Sequence, residues 1–186
     1  QGKVTPIGPP REILRAGRHR RSSRKLPSIF YVSTNLYSSI TNVIRGSDTD
    51  LDMARSEQEI ITNVLALLPH RVLYKPYPSN PRFLDPDPCL SAAETADTID
   101  IHDDGKDLSV LLPDARLLIT SRATSTLGWC IATRLPVVFV DMPNSAQLRP
   151  ALKNCFAEAV FLFDSSEARY QDTLRHFLSR PLSMIE

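Results

Sequence analysis

Between two apolar runs, Leu117–Thr120 and Pro136–Asp141, the chain crowds four hydroxyls and a guanidinium into six positions: Ser121, Arg122, Thr124, Ser125 and Thr126. All of these groups donate hydrogen bonds and one carries a fixed positive charge, so the chemistry they offer is anion binding. If a helix starts here, its unpaired N–H groups add donors that favour phosphate, and the arginine fork matches phosphate oxygens in pairs. Capping alone would explain one of the hydroxyls; four of them with an arginine exceed what a cap uses. The set suits a phosphate or a diphosphate.

Three further stretches carry polar groups at the ends of apolar runs. Lys75-Pro76-Tyr77-Pro78-Ser79-Asn80-Pro81-Arg82 is stiffened by its prolines. Little entropy would be lost on binding, so Lys75 and Arg82 could clamp phosphate; equally, Tyr77 and the prolines could simply cover a sheet edge. Ser33-Thr34-Asn35 closes the run Ile29–Val32 and could face a ligand or be ordinary loop chemistry. His102-Asp103-Asp104 invites a metal, but three consecutive residues do not converge on one ion without unusual backbone, and Asp104-Gly105 signals a turn. No metal is expected there.

Composition removes several classes. The six glycines form neither a G-x-G-x-x-G nor a Walker A loop, and no G-x-S-x-G surrounds Ser121 or Ser125, so dehydrogenase, P-loop and triad-hydrolase chemistry are disfavoured. Cys89, Cys130 and Cys155 are odd in number and widely spaced, which fits a reducing compartment rather than a disulfide framework. No apolar run approaches the roughly 20 residues that span a bilayer, so a soluble protein is expected. The net charge of +1 hides an asymmetry: residues 1–27 hold eight Lys/Arg against Glu12 alone, a charge of +7 that leaves −6 for the rest. This basic, Pro- and Gly-containing arm is expected to be a linker or irregular segment separate from a domain over 28–186. It could touch an anionic membrane surface, while its lack of interleaved aromatics argues against nucleic acid.

Positioning these groups requires an alternation of strands and helices. Ile29–Val32, Val72–Tyr74, Ile99–Ile101, Arg116–Thr120, Val137–Asp141 and Val160–Leu162 read as strands. A helix is expected over Met53–Leu68, with Ile60, Ile61, Val64, Leu65 and Leu68 on one face and Pro69 as its stop. Short helices are expected before Ala96 and over Lys106–Leu112, and another from Ser125. A further helix runs to about Ala159 with Leu148, Leu152, Cys155 and Phe156 inward. A last one is capped by Ser165 or Ser166 and buries Tyr170, Leu174, Phe177 and Leu178. Strands that are apolar throughout and alternate with helices imply an α/β fold, a doubly wound, mostly parallel sheet with helices on both faces.

Val72-Leu73-Tyr74-Lys75-Pro76-Tyr77-Pro78, then Asp114–Thr120, then Ala123-Thr124-Ser125-Thr126 opening a helix before Leu135-Pro136-Val137-Val138-Phe139 resembles the C-terminal, Rossmann-like donor-binding half of GT-B-type glycosyltransferases. It is similar in particular to bacterial surface-polysaccharide transferases. The resemblance implies that a nucleotide-sugar is held as substrate, without metal or other cofactor. Lys75 and Pro76, together with Ser125 and Thr126, would lie at the donor phosphate, alongside Ser121, Arg122 and Thr124, and the nucleobase would lie near Ile101 and His102. Tyr77 stands where the family more often has His, and no Glu follows the helix-start motif. The catalytic base and the acceptor site would belong to an N-terminal Rossmann-like domain preceding this chain. Such an enzyme would work in the cytoplasm, at the inner face of the membrane where the basic arm could dock. The rival expectations are a non-catalytic nucleotide- or phosphate-binding module and a flavodoxin-like interaction domain. Because the arm lacks apolar periodicity, deleting residues 1–25 should leave the melting temperature and nucleotide affinity nearly unchanged. A large fall in melting temperature on truncation would show the arm to be part of the fold.

Overall fold

The computed structural model of the chain describes residues 29–33, 50–77, 87–102, 108–111, 115–123, 125–142 and 147–185. The basic arm, Thr34, Asn35, Arg82, Asp103, Asp104 and Thr124 lie outside them. Six strands, β1 (Ile29–Val32), β2 (Val72–Lys75), β3 (Ile99–Ile101), β4 (Leu117–Thr120), β5 (Val137–Asp141) and β6 (Phe161–Asp164), form one sheet in the order β3-β2-β1-β4-β5-β6. Every pairing is parallel. The helices α1 (Asp50–Asn63), α2 (Pro88–Glu94), α3 (Leu108–Leu111), α4 (Ser125–Ala132), α5 (Pro150–Ala159) and α6 (Tyr170–Leu178) alternate with them. This strand order, reversing beside β1, is that of a Rossmann-like doubly wound sheet. No described helix is long and apolar enough to cross a membrane.

Parallel strands covered on both faces must be apolar on both, and β1, β2, β4 and β5 are buried at every position. Alternation then divides the core. Ile29, Tyr31, Val72, Tyr74, Leu117, Ile119, Val138 and Val140 pack with α1, α2 and α6 on one face. Phe30, Leu73, Leu118, Val137 and Phe139 pack with α3, α4 and the segment around α5 on the other. In α1 the residues Met53, Ala54, Glu57, Ile60 and Ile61 recur at three- and four-residue steps, with Val64 just past the helix end in the same phase, and all are buried. The helix ends earlier than its apolar stripe: Asn63 is its last residue, and Leu65–Leu67 continues as a 3-10 turn before Pro69. Asp87 caps α2 by accepting hydrogen bonds from the amides of Cys89 (2.8 Å) and Leu90 (3.2 Å), with Pro88 in the first turn.

On the β6 side the expected helix phases need correction. Leu152 and Cys155 are exposed, and Leu148 is buried but precedes α5. The inward line of the helix runs instead through Lys153, Phe156 and on to Val160. The Lys153 ammonium bridges two carboxylates at the strand tips, lying 3.2 Å from Asp141 and in closer contact with Asp164. That bridge fixes the rotation of α5 and turns Leu152 to the flank. Ser165 and Ser166 do not cap α6, whose N-cap position is Arg169. Their hydroxyls donate instead to the Asp141 carbonyl (3.0 Å) and the Asp164 carboxylate (2.6 Å), closing a turn after β6. Asp141, 1 % exposed, also accepts from the Leu148 amide at 2.9 Å.

Lys153, followed by the Ser166 hydroxyl, holds the Asp164 carboxyl at about 2, below the ordinary 3.8. A folded-state value below the unfolded one stabilises the fold above the unfolded value and is lost as pH falls through the folded one. Lys153→Met should therefore cost about 2 kcal/mol at neutral pH, since it strands the buried Asp141 charge. It should also remove part of the stability loss that the wild type shows between about pH 4 and pH 2. Urea midpoints at pH 7 and pH 2 check both signs.

Candidate functional site

The carboxyl ends of the strands flanking the reversal of order are where a ligand crevice opens in such sheets. Here Tyr31 pairs with Tyr74 and Val32 with Lys75 on one side of β1, while Tyr31 pairs with Ile119 on the other. Continuing that register sets Val32 between Lys75 and Thr120, in a row on the sheet face that α4 covers. The backbones of Lys75 and Thr120 thus stand about 10 Å apart, two strand spacings.

Both ends of this row are polar and buried. Lys75, expected at the start of a loop, is the last residue of β2 and is 3 % exposed. Its ammonium donates to the Pro76 carbonyl at 3.5 Å, the limit of a useful hydrogen bond, and makes no other hydrogen bond or ion pair among the described residues. Thr120 is fully buried, and its hydroxyl has no hydrogen-bond partner among the described residues. Just beyond it, the half-buried Arg122 has a buried Nε that is likewise unpartnered among them. Such groups are costly to bury without partners. Beyond Arg122 the chain enters α4, where Ser125 is the first residue and Thr126 is half-buried in the first turn.

On the opposite face the polar groups are satisfied. Ser121, the first residue past β4, is 4 % exposed and shares a hydrogen bond with the Tyr31 phenol at 3.4 Å. Tyr74 donates to the buried Glu57 carboxylate at 3.0 Å, and the Ser33 hydroxyl bonds the Tyr74 phenol. The Tyr31 and Tyr74 rings stack 5.7 Å apart with 7° between their planes. Burial, reinforced by the Glu57 charge, pushes both phenols well above their ordinary range and keeps them neutral. Burial also pushes the Cys130 thiol of α4 up to about 12, which leaves it an apolar packing group.

The remaining expected site residues sit at the β3 end. Ile101 closes that strand and is half-buried. His102 follows it, and its backbone amide donates to the Tyr74 carbonyl at 3.0 Å, which brings it beside Lys75. The structure thus sets Lys75, Ser121, Arg122 and the start of α4 at the carboxyl ends of β2 and β4, with Ile101 and His102 at the end of the neighbouring β3. Among the described residues, no three His, Cys, Asp or Glu side chains gather as a metal site. Thr120, Tyr31, Tyr74 and Glu57 were not singled out from the sequence. The signals that could have found them are the tyrosines at matching positions of Ile29–Val32 and Val72–Lys75, and a glutamate in phase with the apolar stripe of α1.

No family model matches the chain, and no curated protein matches it. An anion placed at these strand ends would meet hydrogen-bond donors and charge that the described residues leave unused. Thr120→Val, which removes the unpartnered hydroxyl at nearly constant volume, should raise the stability of the ligand-free protein by about 1 kcal/mol. Denaturant unfolding checks this, and a loss of stability would mean that the hydroxyl has a structural partner.

Proposed function

We propose that the chain binds the phosphate groups of a nucleotide-sugar at the switch-point crevice, as the donor-binding half of a GT-B-like glycosyltransferase in surface polysaccharide synthesis. The observation that carries this reading is the Lys75 ammonium, buried at the tip of β2 with a single marginal carbonyl contact among the described residues. A buried cation held this way is stabilised by an arriving anion more than an exposed one would be. In this reading Lys75, Ser121, Arg122, Thr124, Ser125 and Thr126 hold the phosphates, and the base lies toward Ile101 and His102. An acceptor hydroxyl, brought by a second Rossmann-like domain, attacks the sugar's anomeric carbon as the bond to the nucleotide phosphate breaks. The cations and helix-start amides stabilise the charge that develops on that phosphate, a role requiring no metal. The enzyme would act in the cytoplasm, with the basic arm against the inner face of the membrane.

A second reading, a non-catalytic nucleotide-binding module, draws on Asp141. This carboxylate at the tip of β5 is engaged by the Leu148 amide and Lys153 and is not poised as a base.

Calorimetric titration with CMP, UDP and GDP tests the reading, and Lys75→Met makes the test sharp. Removing a buried, poorly paired charge should leave the melting temperature unchanged or raised, while weakening nucleotide binding at least tenfold and flattening its salt dependence. If no nucleotide binds the wild type at millimolar concentration, the donor-domain reading fails. If Lys75→Met instead destabilises the fold and spares affinity, the lysine is structural.

A further inference from the structure

Tyr31 lies one strand away from the residues that would touch a phosphate and is fully buried, yet its phenol meets a single hydrogen-bond partner among the described residues, the Ser121 hydroxyl at 3.4 Å. Its orientation is fixed from behind. The ring is stacked on Tyr74, and Tyr74 is in turn held by Glu57 and Ser33. Either oxygen can donate in this contact, and a buried phenol is most often satisfied by placing its proton on an acceptor, here the Ser121 oxygen. A hydroxyl that accepts in this way has one proton left to give.

Resting on the phosphate-binding reading, we infer that Tyr31 is a positioning residue: by donating to Ser121 Oγ it turns the serine's own proton toward the crevice, so that Ser121 meets an anion as a pre-oriented donor. The neighbouring Thr120 hydroxyl, buried and unpartnered among the described residues, offers a second donor at the same strand end. Raised by burial far above its ordinary range, the phenol stays protonated throughout.

A double-mutant cycle on the full chain, with inorganic pyrophosphate as probe and calorimetry or 31P NMR as readout, tests this. Ser121→Ala should weaken binding about five- to tenfold. Tyr31→Phe, which removes one oxygen and leaves the stacked ring, should weaken it about three- to fivefold. The double variant should be no weaker than Ser121→Ala. Ser121→Thr, which keeps the hydroxyl, should stay within about twofold of the wild type. Multiplying effects, or a Tyr31→Phe protein with wild-type affinity, would overturn the inference while leaving the binding site standing. A loss in Ser121→Thr as large as in Ser121→Ala would overturn it without recourse to any Tyr31 variant. A wild type that does not bind pyrophosphate at 10 mM, about a hundredfold above a 0.1 mM constant, removes the binding site and this inference together.

Discussion

The parallel pairing of β1 on both its edges is the constraint on which the site depends. Because β2 and β4 run the same way as β1 and in register with it, their carboxyl ends finish side by side. The chain leaves them in opposite directions: the helices following β1 and β2 cover one face, and the helix following β4 covers the other. In sheets of this order the ligand crevice lies at the tips of the strands where the order reverses. Lys75, Ser33, Ser121 and Thr120 stand at these strand ends, so the sheet that builds the core also sets the spacing of the donors.

The two faces of the sheet handle their polar groups in opposite ways. Behind the sheet, Glu57, Tyr74, Ser33, Tyr31 and Ser121 form a satisfied, aromatic-braced network. In front, under α4, the Lys75 ammonium, the Thr120 hydroxyl and the Arg122 Nε are short of partners among the described residues. A buried polar network rigidifies what it touches when complete and is costly when incomplete. On the binding reading proposed above, the complete half would hold the geometry and the incomplete half would respond to a ligand, the division that electrostatic preorganisation uses.

The strands and the alternation were legible because a sheet buried on both faces demands continuous apolar runs, and Ile29–Val32, Leu117–Thr120 and Val137–Asp141 have no other use. The hydroxyl cluster was legible for the converse reason, being polar where the pattern turns. What stayed hidden depended on partners distant in sequence. Glu57 reads as an ordinary exposed helix charge until Tyr74, 17 residues on, is known to meet it. The phase of α5 was misjudged because Leu152 outranks Lys153 in hydrophobicity, whereas Asp141 and Asp164, on different strands, decide which one turns inward. Lys75 reads as a loop cation beside Pro76, yet pairing with Val32 keeps it in the strand.

That ionic anchor gives the sheet a graded hold on its own edge. β1, β2 and β4 are locked by apolar burial on both sides, but β6 is partly exposed along its whole length, and no residue of α5 is fully buried. Charge and turn hydrogen bonds at Asp141, Lys153 and Asp164 supplement there the packing of Phe161 and Phe163 on Phe177. Amide protons at the β6 margin should therefore exchange through local opening before those of the centre, and screening by salt should loosen this margin more than the central strands.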